Sequence, residues 1–265
     1  MGESGAATVA DWLSSAADPA LSEDLALALL KHAELPAEVL ESLSKNVKAV
    51  KSRKVKMAVA SHPHTPRHIS VPLARQLYTF ELMRVALLPG VPADIKVAVD
   101  DILISRLKTV ALGERLTLAR RASGRVAAAL LLDVENGDGK TFRRNAGKIA
   151  DGKRFNAKSR VHETRLMQTA LENPRLTETL VISSVLRPLA GAALVSAVAR
   201  HPKWSKRKEI RAALLRTEHL SLASALAFGR EIPAPLLNEI LVNSRLPIQI
   251  KNQLLRESSG QDGAQ

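Results

Sequence analysis

Apolar residues recur at helical spacing through most of the chain. Between Ser22 and Lys31, Leu25, Leu27, Leu29 and Leu30 make one broad apolar face. Between Asp94 and Leu107, Ile95, Val97, Val99, Ile102, Leu103 and Leu107 cluster, while Lys96, Asp100, Asp101 and Arg106 fall mostly elsewhere. This is the pattern of short amphipathic helices that each bury one stripe. The longest helices are expected at Ser70 to Leu88 and Pro92 to Val110. A further start is expected at Leu112-Gly113-Glu114, with Gly124 as punctuation before the apolar run Arg125 to Leu132.

The runs are separated by a recurring proline turn. It reads Leu35-Pro36-Ala37-Glu38, His62-Pro63-His64-Thr65-Pro66, Val91-Pro92-Ala93-Asp94, Asn173-Pro174-Arg175-Leu176-Thr177, His201-Pro202-Lys203-Trp204-Ser205 and Ile232-Pro233-Ala234-Pro235, with Leu246-Pro247 as a weaker copy. Proline cannot continue the preceding helix and drives the residue before it out of the helical region. Thr65, Thr177 and Ser205 then stand where N-caps of the next helices are expected. Each unit is a helix, a stop and a new start, at an irregular period of roughly 20 to 45 residues.

The phrases Ala58 to Ile69, Ala170 to Val181 and Ala197 to Leu214 carry a resemblance to bacterial HEAT-like and leucine-rich-variant helical-repeat proteins, covering Ala20 to Arg256. The resemblance implies an all-α fold, a HEAT-like α-solenoid in which antiparallel helix pairs stack as a right-handed superhelix. Its motifs are structural, so they specify fold far better than function.

Composition agrees with helices. Apolar residues make up 46% of the chain but aromatics only 3%, and Ala, Leu and Val dominate. With no cysteine, disulfides, thiolate chemistry and cysteine-ligated zinc are excluded. The first residues lack a basic start followed by an apolar run, no stretch is long and apolar enough to span a bilayer, and a cytoplasmic location is expected. The net charge is +13, unevenly placed: Met1 to Lys45 carries −6 and the remainder +19. A basic body suggests an anionic partner or a solubilising charge.

One stretch breaks the helical pattern. Asn136 to Arg160 is rich in Gly, Asn and base, and a long loop inserted between two parts of the array is expected there. The domain plan is then a tail over 1–8, repeats over 9–135, the insertion over 136–160, repeats over 161–256 and a tail over 257–265. Lys140, Arg143, Arg144, Lys148, Lys153, Arg154, Lys158 and Arg160 are the candidate anionic-partner residues, opposed only by Asp138 and Asp151. Phe142 and Phe155 lie among them, a mixture that suits phosphates and stacked bases.

Catalytic patterns are lacking: there is no GxSxG, no HExxH and no cysteine nucleophile. Gly137 to Thr141 ends like a phosphate-binding loop, but Val134 stands where its first glycine belongs. His62, His64 and His68 suggest a metal, yet His62-Pro63 is one copy of the repeated turn. No cofactor and no metal are expected. The leading expectation is a non-enzymatic scaffold or adaptor that binds a protein partner. A nucleic-acid-binding module comes second. A helical-repeat DNA base glycosylase comes third, for which Trp12 beside Asp11 is the only tryptophan–carboxylate neighbour of note.

Overall fold

The structure is a computed structural model that describes residues 8–136, 152–188 and 190–261, without the side chains of 134–136, 152–160 and 259–261. Among the described residues there are 17 helices and no strand, so the protein is all-α. The chain divides into two compact units, one ending at Arg106 and one beginning at Leu107. The division falls at the end of the helix Ala93–Arg106, within the expected helix Pro92 to Val110.

The first unit holds α1 (Val9–Ala17), α2 (Glu23–Leu29), α3 (Ala37–Lys45), α4 (Val47–Lys51), α5 (Arg53–Ser61), α6 (Arg67–Ala74), α7 (Thr79–Leu87) and α8 (Ala93–Arg106). Here α1 packs on α3, α3 on α5, α5 on α7, and α6 on α8. Leu35, Val39, Leu40, Leu43, Val55 and Val59 are fully buried between them. The second unit holds α9 (Leu112–Arg121), α10 (Gly124–Asn136), α11 (Gly152–Leu171), α12 (Glu178–Val185), α13 (Ala192–Arg200), α14 (Lys208–Leu214), α15 (Leu222–Gly229), α16 (Ala234–Val242) and α17 (Ile248–Gln261). In it α9, α10 and α11 pack mutually, α10 also meets α12, and α12 meets α14.

Each proline turn leads into a helix, and the details sharpen the reading. The expected helix from Ser70 to Leu88 is two helices, α6 and α7. The break at Arg75 to Tyr78 is held by two side chains. Glu81 accepts from the Tyr78 N–H at 2.8 Å, and Arg106 donates to the carbonyls of Leu77 and Arg75 at 2.7 and 2.5 Å. Residues 152–160, expected as loop, are the first turns of α11. Lys, Arg and Ala there are good helix formers, and lengthening an existing helix costs far less than nucleating one. Helix α17 likewise runs to Gln261, into the expected tail.

Of the three expected N-caps, Thr177 accepts from the Leu180 N–H and caps α12. Thr65 instead turns back, donating to the Val59 carbonyl at 2.6 Å, and Pro66 occupies the cap of α6. Arg207 rather than Ser205 precedes α14. Two glycines are required by geometry. Gly90 has φ of +82° in the turn before α8. A Cβ on Gly124 would lie 2.2 Å from the Arg175 carbonyl oxygen, so only glycine lets the start of α10 approach that turn.

Short helices expose many end carbonyls, and one device recurs to satisfy them. In the turn after a helix, a side chain accepts from the N–H two residues on: Asn46 from Lys48 (3.1 Å), His62 from His64 (3.3 Å), Asn173 from Arg175 (2.8 Å), His201 from Lys203 (3.2 Å) and Ser244 from Leu246 (3.0 Å). The same side chain donates to the end of an earlier helix. Asn46 reaches Ala16 and Asp18, His62 reaches His32, and Ser244 reaches Leu215, across 28 to 30 residues of chain. Trp204 does this for the His201 turn, its indole N–H meeting the Leu171 carbonyl at 2.9 Å. Asn173 reaches Ala119 and Ala122 over a longer interval that includes residues 137–151. The turns need a group with an acceptor beside a donor. Asn, Ser and a neutral His all qualify.

Asn173 makes three such hydrogen bonds and is 1% exposed. Asn173→Ala removes three hydrogen bonds and leaves two buried carbonyls unpaired, so it should destabilise the second unit by about 2 kcal/mol. Denaturant unfolding followed by helical circular dichroism measures this. An unchanged midpoint would show that the turn-to-helix bond carries no stability.

Candidate anionic-partner surface

Of the residues selected from sequence, Lys140, Arg143, Arg144 and Lys148 lie outside the described residues, with Phe142 and the Gly137 to Thr141 segment. Lys153, Arg154, Lys158 and Arg160 stand on the first turns of α11.

The first unit holds a further basic surface around Lys48 to Lys56. From Ser42 to Phe80 there is no Asp or Glu, against eight Lys and Arg and three His. This acid-free run folds into the end of α3, then α4, α5, α6 and the start of α7. Contacts place much of its charge along one edge. Lys48 donates to the Ala20 carbonyl at 3.3 Å, before α2. Lys54 pairs with Glu23 at 2.9 Å, on the first turn of α2. Lys56 meets the neutral Gln76 amide at 2.8 Å, between α6 and α7. The Arg53 guanidinium lies 4.4 Å from the centre of the Tyr78 ring. Lys51 and Arg75 are exposed on the same connections. No ion pair among the described residues joins Lys48, Lys51, Arg53, Lys56 or Arg75 to a carboxylate. Their positive charge is therefore uncompensated at the surface.

Local chemistry explains part of this. Lys45 and Lys51 sit in the last turns of α3 and α4, where the helix dipole favours cations. Asn46 and Ser52 cap the starts of α4 and α5 with neutral oxygens, so no acid is used there. Glu23 is held below the usual carboxylate range chiefly by hydrogen bonding to Lys54, and Lys54 is raised by the same bond.

The second basic cluster, Lys203 to Arg211, is more neutralised. Arg207 pairs with Glu178 at 3.3 Å and Arg211 with Glu231. Lys203 lies over the Trp204 ring at 4.1 Å. Lys206 and Lys208 are exposed.

The other sequence candidates are absorbed by structure. His62 is buried, its Nδ1 accepting from His64 and its Nε2 donating to His32. His64 Nδ1 lies 3.0 Å from the Leu35 carbonyl. The imidazoles are thus engaged in the turn, and no group of metal-ligating side chains forms among the described residues. Asp11 is tied to Thr8 in a capping box, and Trp12 packs at 5.7 Å on the His32 ring. A cavity of about 300 Å³ lies between α15, α16 and α17. Its Arg230 and Glu257 pair with each other at 3.0 Å, and Leu226, Leu237 and Leu254 make its apolar wall. No helix among the described residues is long and apolar enough to cross a membrane.

No protein-family model, curated protein or solved structure matches the chain.

The turn histidines generate a pH prediction. Burial holds both His62 and His201 below the ordinary imidazole value of 6.5. The folded chain therefore binds fewer protons than the unfolded chain in the interval below 6.5. The stability contributed by the neutral rings is complete above that pH and is lost as pH falls through the folded values. The denaturation midpoint should fall between about pH 7 and about pH 5. His62→Asn supplies the donor and acceptor that Asn46 and Asn173 use at equivalent turns, so it should flatten that dependence. A slope identical to the parent's would remove His62 as its source.

Proposed function

We propose that the chain is a non-enzymatic HEAT-like helical-repeat module, its helix pairs stacked as a superhelical array, that presents a cationic surface to a nucleic acid. The recurrence of one turn device across about 30 residues supports the repeat reading. The basic edge of the first unit, where Lys48, Lys51, Arg53, Lys56 and Arg75 join no carboxylate among the described residues, carries the functional reading. Cations without carboxylate partners release their counterions to a phosphate backbone, and that release drives association. The basic segment Asn136 to Arg160 adds further charge.

A protein partner, the leading expectation from sequence, keeps one specific support. Leu236, Val242, Ile248 and Leu255 are exposed on the neighbouring helices α16 and α17. Exposed apolar side chains grouped in this way suit a protein partner. On this second reading the basic edge serves solubility and steering.

The test is fluorescence anisotropy of labelled single- and double-stranded oligonucleotides across a salt series, beside size-exclusion analysis of the protein alone. The triple variant K48Q/K51Q/K54Q removes three cations from the edge, the third of them paired with Glu23, without touching the core. Binding near physiological salt is expected, with the slope of log affinity against log salt shallower in the variant by about 2 to 3. Binding seen only at low salt, or a slope unaltered by the variant, would reject the nucleic-acid reading and leave the protein-partner reading.

A further inference from the structure

We infer that Tyr78 is a base-stacking platform, so that the basic edge takes single-stranded nucleic acid in preference to duplex. The inference rests on the nucleic-acid reading and deepens it.

Tyr78 is the only tyrosine of the chain and is 62% exposed. Most other described aromatics are spent inside: Trp204 caps a carbonyl at 2% exposure, Phe228 is 7% exposed, and Trp12 packs against the first unit's core. Burial therefore does not account for an aromatic ring at position 78.

Its backbone is well fixed. The Tyr78 N–H donates to Glu81, and its carbonyl accepts from the Leu82 N–H at 2.9 Å as the first bond of α7. Leu82 and Val85 of α7 are fully buried, so the ring is mounted on a packed helix start. Arg53 lies against the ring at 4.4 Å. A ring that meets a guanidinium and remains largely exposed keeps surface free for a second planar group. Phe80 adds another exposed ring two residues on, at 40%.

The chemistry of the surroundings defines the ligand. A stacked base needs a π-face, and its flanking phosphates need cations within reach. Lys51, Lys54, Lys56 and Arg75 belong to the connections that bring Arg53 and Tyr78 together. Arg53 is itself suited to both tasks, since a guanidinium stacks on planar groups and binds phosphate through a fork of donors. Paired bases in a duplex are stacked on each other and present no open face to a protein ring. A single strand can splay a base onto Tyr78, whereas a duplex can use only the charges. The recognition is tolerant of sequence, because every base has a π-face.

The experiment uses the full chain and a labelled oligo(dT) of about 20 nucleotides, with a duplex of equal length for comparison. Y78A should weaken single-strand binding about 10-fold or more, while Y78W retains it and duplex binding changes by less than about 2-fold. The salt slope should be the same in Y78A as in the parent, because no charge is removed. With tyrosine labelled selectively, the protein gives one set of ring NMR signals. Titration with unlabelled oligo(dT) should move them upfield through the base ring current, and polyglutamate of matched charge should not.

If Y78A leaves single-strand affinity unchanged while K48Q/K51Q/K54Q lowers it, stacking is overturned and the nucleic-acid reading stands. Equal losses on single strand and duplex, with the Y78A unfolding midpoint unchanged, overturn the strand preference. If polyglutamate competes as well as oligo(dT) and shifts the ring equally, the edge is a general polyanion surface and the inference fails. Absence of any nucleic-acid binding overturns both readings together.

Discussion

The fold depends on how helix ends are satisfied. A chain of short helices has a large share of its backbone at ends, where the last carbonyls find no partner within the helix. Left buried and unpaired, each such group costs about 1 to 3 kcal/mol. The turns answer this with a side chain that accepts from its own turn and donates to the end of an earlier helix. Asn46, His62, Asn173 and Ser244 each do both. One bond thereby fixes the turn and binds it to its neighbour. The interval of about 30 residues is the chain needed to leave one helix end and return beside it.

That choice has a consequence for charge. The turn groups are neutral, so the framework needs no carboxylate at these positions. Cations near helix C-termini are favoured by the dipole and by free carbonyl lone pairs, and Arg106 is used in this way at the end of α6. Acids are not required, cations are welcome, and an edge with excess positive charge follows at little cost to stability. Lys51, Arg53 and Arg75 are the surplus. Their side chains are exposed and join no ion pair among the described residues, so they remain available to an anion.

Much of the fold was legible. Proline turns marked the helix starts because proline acts locally, and Ala, Leu and Val at helical spacing leave no alternative to an all-α chain. What escaped were features set by distant residues. The break between α6 and α7 is stabilised by Arg106, some 30 residues ahead, and no local signal marks it as strongly as a proline would. Thr65 looks like a cap until the open carbonyl of Val59 is seen behind it. The start of α11 was hidden because a basic, glycine-containing segment reads as loop although its Lys, Arg and Ala favour helix. The candidate surface was half legible. The absence of acid from Ser42 to Phe80 is written in the sequence, yet summing charge over whole segments buries it, since the boundary at Lys45 mixes this run with an acidic start. The approach of Arg53 to Tyr78 has no sequence signature, because helix α6 lies between them in the chain.

Exposure of the one tyrosine sets framework and surface apart. The first unit packs with aliphatic side chains, and α7 buries Leu82, Val85 and Ala86 without help from the ring before it. A serine, threonine or aspartate at position 78 would cap α7 better than tyrosine, because the first N–H groups of a helix prefer a short side-chain acceptor. Tyrosine there forgoes a cap and leaves an aromatic face in water. Arg53 recovers some of that loss, since an exposed cation over a ring contributes about 0.5 to 1 kcal/mol, as much as an exposed ion pair would. Tyr78 is not the local optimum for stability. Tyr78 and Arg53 both have the chemistry that a phosphate-linked chain of planar bases would meet.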